Sequence, residues 1–152
     1  MTTTGVWTIE VGDEASFKHL DSKSAVFPAL EEIIAADSDG RVCVDEDVGE
    51  NSWFSRTILR LNPRIQAMRF AIEWSGEICS LIFFDDAVSE YRAISSDPSR
   101  ELDGETRLKV SHGQEAPHPL DECLSLSEGL RAIRDFLDSG SRPSWLDYRY
   151  VK

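Results

Sequence analysis

Strand patterns that follow one another closely between residues 53 and 84 constrain the fold more than any other feature of this sequence. Residues 53–61 are rich in aromatic and β-branched side chains, and Asn62-Pro63 then signals a turn. Residues 81–84 are continuously apolar and predict a central strand that is buried on both faces. Adjacent hairpins or a meander follow from this spacing, so the sheet is expected to be antiparallel.

Residues 68–74 alternate apolar and polar side chains, as a strand with one buried face does. One face is predicted to carry Met68, Phe70, Ile72 and Trp74, and the other Arg69 and Glu73. Shorter strands are predicted at residues 5–11, 41–45, 106–111 and 145–151, with an edge strand within 85–104. Loops are predicted at residues 46–52 and 112–119.

Two segments repeat apolar residues at the 3.6-residue period of an amphipathic helix. The first covers residues 24–36. The second begins at a capping box formed by Ser125 and Glu128, and ends at Gly140. The sequence therefore predicts one α+β domain over residues 1–152, with a mainly antiparallel sheet and two amphipathic helices.

The charge balance restricts the partners that such a domain can bind. The chain has 28 acidic and 16 basic residues, a net charge of -12, and its first 50 residues hold 12 acidic and only 3 basic ones. Nucleic acids and anionic membranes are not expected partners, because both attract cationic surfaces. The densest acidic cluster, Asp45-Glu46-Asp47 with Glu50, is interpreted either as a solvated loop or as a contact for a basic protein.

No motif with catalytic or metal-binding specificity occurs in the sequence. The nucleophile-elbow, phosphate-loop, dinucleotide and zinc-protease motifs are all missing. His112 and His118 lie six residues apart, a poor spacing for two metal ligands, and together with His19 they are predicted to be surface loop residues. Adjacent carboxylates such as Asp85-Asp86 are expected by chance in so acidic a chain. We therefore expect no enzymatic activity, no metal, no cofactor and no small-molecule ligand.

Cysteine usage and hydropathy predict the compartment. Cys43, Cys79 and Cys123 are an odd number without a C-x-x-C pair, so they are interpreted as small buried thiols in a reducing environment. The N-terminal residues lack the pattern of a signal peptide, and no apolar run is long enough to span a membrane. A cytoplasmic protein is expected.

Several motifs form a pattern that is known from one family. The clearest part is an apolar helix at 130–137, then Gly140, Arg142-Pro143 and an aromatic strand around Trp145 and Tyr148. Weaker parts are the Trp74-Ser75-Gly76 hairpin that leads to Phe83-Phe84, and the turn at residues 49–53. Together they resemble immunity protein family one of bacterial polymorphic toxin systems.

The resemblance implies an immunity-type domain that binds and neutralises a toxin encoded beside it, in the cytoplasm of the producing cell. The resemblance implies that the associated toxin is often a nucleic-acid deaminase, and an acidic surface is suited to occlude a basic active-site cleft. The resemblance implies no catalytic role, and Arg142-Pro143 is assigned to structure. The residues expected to contact the toxin are Asp45, Glu46, Asp47, Glu50 and Trp53, followed by Asp85, Asp86 and Glu90.

Three other functions fit the same composition. An acidic secretion chaperone is also small and without catalytic motifs, but it binds an extended segment of an effector. A nucleic-acid mimic would differ only in its target protein. An enzyme with an unrecognised carboxylate site is the third alternative.

Overall fold

The frame of the molecule is an antiparallel sheet whose strands come from both ends of the chain. The computed structural model describes residues 7–12, 16–50, 54, 57–60, 64–85, 89–95, 104–109 and 115–151. The strands are β1 (Trp7–Val11), β2 (Ser16–Leu20), β3 (Asp39–Glu50), β4 (Arg64–Ser75), β5 (Ile78–Phe84), β6 (Glu90–Ile94), β7 (Glu105–Lys109), β8 (Glu115–Pro119), β9 (Leu124–Ser125) and β10 (Asp147–Tyr150). The helices are α1 (Val26–Ala36) and α2 (Leu126–Ser139).

Eight strands form the main sheet, in the order β10-β6-β5-β4-β3-β1-β2, with β9 beside the start of β5. All described pairings are antiparallel, and β7 and β8 form a separate hairpin. The predicted α+β class, with a mainly antiparallel sheet and two helices, is confirmed. Within the described ranges, no helix is both long and apolar enough to cross a membrane.

The two helices cover one face of the sheet, here called the helix face. Leu30 of α1 and Ile133 of α2 are fully buried against strand residues such as Ile72 and Leu81. Phe136 of α2 contacts the ring of Phe83 at a centroid distance of 5.0 Å. Burial of each such side chain contributes about 1.5–3 kcal/mol, so this layer supplies most of the apolar stabilisation.

Helix α2 begins and ends where the sequence predicts. The Ser125 hydroxyl accepts from the Glu128 backbone N–H at 3.2 Å, and the Glu128 carboxylate accepts from the Ser125 N–H. Gly140 has a φ of 78°, the left-handed conformation that ends a helix, and its N–H donates to the carbonyl of Phe136. The predicted capping box and glycine stop are therefore confirmed.

Several sequence predictions of loops and strands are wrong, and long-range pairing explains them. Residues 46–50, predicted as loop, continue β3 because β4 supplies a hydrogen-bonding partner along its length. Residues 115–119, also predicted as loop, form β8. The predicted edge strand is the inner strand β6, because β10 returns to cover it. In 53–61, the described residues form a helical turn instead of a strand, with the Ile58 N–H donating to the Phe54 carbonyl.

A β-bulge corrects the predicted face assignment of β4. Val44 pairs with Phe70, but the next residue, Asp45, pairs with Met68, which leaves Arg69 as the extra residue. Met68 is 37% exposed and lies on the face opposite the helices, whereas Arg69 reaches the helix face and binds Glu46. A period of two breaks at a bulge, so the alternation predicted the wrong face for both residues.

Close contact between α2 and β5 gives a test of this packing. A Cβ added to Gly129 would overlap the Cys79 Sγ, which is fully buried. We expect Gly129→Ala to lower the free energy of unfolding by about 1–3 kcal/mol, measured by urea denaturation. In a Cys79→Ala background the same substitution should cost less, because the overlapping sulfur is gone. Equal losses in both backgrounds would contradict the assigned contact.

Candidate partner-binding surface

The acidic cluster of β3 divides between the two faces of the sheet. Because successive strand residues point to opposite sides, Asp45 lies opposite the helices and Glu46 lies on the helix face. The Arg69 Nε donates to Glu46 Oε2 at 2.8 Å, which ties Glu46 into the fold. Asp47 and Glu50 lie further along β3. The predicted cluster is therefore not one continuous patch, and Trp53 lies outside the described residues.

Asp45 is held in an electrostatically unfavourable place. It is partly buried, and its Oδ1 atom is buried without a hydrogen-bond partner among the residues that the structure describes. Burial raises the pKa of the Asp45 carboxyl above its ordinary value, and the charge of Glu10 raises it further. Glu10 belongs to β1 and pairs with Cys43, two residues before Asp45. Sequence analysis missed Glu10, because only the β1–β3 register brings it near the cluster.

Exposed apolar side chains border these two carboxylates. Phe17 pairs with Glu10 from β2 and is 54% exposed, and Met68 pairs with Asp45 from β4. Register places all of them on the side of the sheet away from the helices. We call the surface formed by Phe17, Glu10, Asp45 and Met68 the open face.

The same side of the sheet is covered further along by the β7–β8 hairpin. His118 of β8 is 6% exposed, and its Nε2 lies 2.9 Å from Glu73 Oε2 on β4. The prediction that His118 is a surface loop residue is therefore wrong. His19 is exposed, but it lies on strand β2, and His112 lies outside the described residues. Glu90 lines the cavity of about 490 Å³ beside this hairpin, together with Arg41 and Arg92.

The second predicted acidic group includes a structural ion pair. Asp85 accepts from Arg142 Nε at 2.9 Å and from Arg142 Nη2 at 3.0 Å, in the bidentate geometry of strong pairs. The Arg142 guanidinium also stacks on Tyr91 and Tyr148, at 3.6 and 4.7 Å from their ring centroids. Asp85 therefore joins the end of β5 to the segment that follows α2. Asp86 lies outside the described residues.

Tyr148 completes this anchor of the C-terminal segment. Its hydroxyl donates to the carbonyl of the buried Pro143 at 2.6 Å. Burial raises the pKa of Tyr148 to about 12, so the phenol stays protonated as a donor. The Arg142-Pro143 motif thus orders the entry to β10, in agreement with the structural role assigned to it from the sequence.

The remaining observations concern metal ligands, cysteines and known proteins. Among the described side chains, no group of three or more His, Cys, Asp or Glu could hold a metal ion. Cys79 and Cys123 are buried, as predicted, and Cys43 is half-buried. No protein-family model matches the sequence, and no curated protein matches it. The resemblance to immunity protein family one stays a prediction.

Arg142→Lys tests the anchor. Lysine cannot form the bidentate pair or the stacked plane, so we expect a loss of about 1–2 kcal/mol in the free energy of unfolding. Arg134→Lys is the matched control, because among the described residues Arg134 stacks on the single ring of Phe27, at 4.6 Å from its centroid. This variant should lose less than about 0.5 kcal/mol in the free energy of unfolding. Urea denaturation measures both. Equal losses for the two variants would contradict the role of the Asp85 pair.

Because the pKa of Asp45 is raised, we expect Asp45→Asn to increase the free energy of unfolding by an amount that depends on pH. Ionised Asp45 destabilises the folded chain, because its folded pKa lies above that of the unfolded chain. At pH 7 the variant should be more stable than the parent. The gain should shrink as the pH falls through the folded pKa, and vanish below about pH 3.5, where the carboxyl is protonated in both states. Urea denaturation across this range measures the difference, and a gain that is constant with pH would refute the assignment.

Proposed function

We propose that this protein is an immunity protein, which binds a folded toxin domain through its open face and so neutralises the toxin. The observation that carries the proposal is the combination of one unfavourably placed carboxylate, that of Asp45, with exposed apolar side chains. Glu10 and Asp45 repel each other, while Phe17 and Met68 expose about half and a third of their surfaces. A surface that costs stability in the free protein is typical of a binding site.

A basic partner would relieve the electrostatic cost at Asp45. A lysine or arginine near Asp45 favours its ionised form, which lowers its raised pKa and offsets the repulsion from Glu10. Phe17 and Met68 supply apolar area that excludes water around the pair.

The net charge of -12 favours the same class of partner. Enzymes that act on nucleic acids carry a cationic cleft, and an acidic protein is steered towards it at a high association rate. Occupation of the cleft would exclude the nucleic acid sterically. We therefore propose a nucleic-acid-targeting toxin, such as a deaminase, as the target. The resemblance of the C-terminal motifs to immunity protein family one supports this choice.

Charge reversal on the open face tests the proposal. The probe is the purified toxin domain encoded beside this chain, and the readout is its affinity by biolayer interferometry at low and high salt. We expect the double variant Glu10→Lys/Asp45→Lys to bind at least about a hundredfold more weakly, since like charges across an interface cost several kcal/mol. It should also fail to protect cells that express the toxin.

The matched control is Glu31→Lys/Glu32→Lys. These exposed residues lie on α1, on the other side of the sheet, and the substitutions change the net charge equally. The control should keep its protection and change affinity only through long-range steering. Equal weakening by both pairs would refute the open face as the binding site. Binding of the denatured toxin as tightly as the folded domain would favour the chaperone function instead.

A further inference from the structure

A groove of about 540 Å³ lies between the start of α1 and the end of α2. Its apolar wall consists of Phe27 and Pro28, in the first turn of α1, and of Leu137, in the last turn of α2. Leu137 is buried and Phe27 is half-buried, and both pack against the core, so the fold holds this wall in place. Small-molecule sites have volumes of roughly 300–1,000 Å³ and mainly apolar walls. The groove therefore has the size and the lining of a ligand site.

Two cations line the groove without an ion pair to any residue that the structure describes. They are Lys23, in the 3₁₀ turn that precedes α1, and Arg134 of α2, and both are exposed. Asp138 also lines the groove, so one positive charge is in excess there, although the chain carries a net charge of -12. The arginines that line two other cavities each pair with a carboxylate; these are Arg41, Arg69, Arg92 and Arg142.

The guanidinium of Arg134 is already oriented at the groove. It lies over the ring of Phe27, at 4.6 Å from the ring centroid. Stacking uses the face of the planar guanidinium and leaves the N–H groups at its edge available, and these groups bind carboxylate and phosphate oxygens in a fork. The first turn of α1 contains no acidic residue that would repel an anion. The groove thus combines an apolar wall with an oriented site for an anionic group.

We infer that the groove binds a single acyl chain with an anionic head group, such as a fatty acid. The head group lies between Lys23 and Arg134, and the chain lies along Phe27, Pro28 and Leu137. This inference does not rest on the proposed function, because the groove is formed by the helices and not by the open face. From the sequence alone we expected no small-molecule ligand, since the groove depends on the packing of two helices that are far apart in the chain.

Other classes of ligand fit the groove less well. Seven residues line it, whereas each partner in a stable protein complex contributes roughly 20–30 residues. A neutral apolar ligand would remove water from Lys23 and Arg134 without supplying a counter-charge, which is costly. An apolar chain with an anionic head group satisfies both parts of the lining.

Titration with decanoate, followed by NMR of the amide groups, tests the inference. We expect saturable binding, with the largest shifts at residues 23–28 and 134–138. The control ligand is 1-decanol, which has the same chain without the charge, and it should bind at least about tenfold more weakly, because it forms no charge-assisted hydrogen bond. The lack of saturable binding, equal affinities for the two ligands, or shifts that map to the open face would each overturn the inference.

A pair of arginine variants on the same helix tests the head-group contact. Arg134→Gln should weaken decanoate binding at least about tenfold, because the fork of N–H donors is lost. The matched control is Arg131→Gln, which removes the same charge from α2. Arg131 is also exposed and stacks on an aromatic ring, that of Trp145 at 4.3 Å, but it does not line the groove. The control should change the affinity less than about twofold, since exposed charges act weakly at a distance. Equal weakening by both variants would overturn the inference.

Two further measurements identify the head group and exclude a second copy of this chain. Decyl phosphate carries the same chain as decanoate, and the tighter binder of the two assigns the head group as phosphate or carboxylate. Sedimentation velocity measures the oligomeric state. A dimer that Arg134→Gln dissociates, and that decanoate leaves intact, would place a second copy in the groove and overturn the inference. Toxin binding through the open face would stand or fall independently of these results.

Discussion

The antiparallel pairing of β3 with β4 is the constraint on which the rest of the structure depends. These two twelve-residue strands are the longest elements of the sheet. β1 and β2 attach to the outer edge of β3, while β5, β6 and β10 follow from β4. The bulge opposite Asp45 turns Arg69 towards the helix face, where it neutralises Glu46. The pairing thus sets both the core and the positions of the acidic side chains.

The two faces of this sheet differ in how completely they are covered. Both helices bury one face, and the C-terminal segment is fixed to it through Arg142 and Tyr148. Among the described residues, the β7–β8 hairpin lies over the other face, where it covers Glu73, while Phe17 and Met68 are exposed. Because the helices bury the apolar side chains of one face, the other face is available for the proposed partner. The proposed binding surface is therefore a consequence of the layer arrangement.

Local signals in the sequence are sufficient to predict some of the helices and strands. Helix α2 was predicted with its capping box and glycine stop, because these signals lie within a few residues of the helix ends. The continuous apolar run of β5 predicted a central strand buried on both faces, and β5 is an inner strand between β4 and β6 whose Ile82 is half-buried. Both predictions rest on interactions that are short in sequence.

Other features depend on partners far away in the chain. Residues 46–50 are acidic and predict a loop, yet β4 holds them in a strand. His118 is buried only because β8 lies over Glu73, 45 positions earlier. Glu10 joins Asp45 through the register of β1 with β3, which no local pattern contains. The composition therefore predicted that the candidate site is acidic. It predicted neither the face of the sheet on which the site lies nor all of the residues that form it.

The central claim is that the partner binds the sheet on the side away from the helices. Cross-saturation NMR tests it directly, with this chain deuterated and the proposed toxin partner protonated, because saturation passes only to amides at the interface. The account predicts the largest signal losses in β1, β2 and the part of β3 around Asp45. Losses confined to α1 and α2 would contradict it.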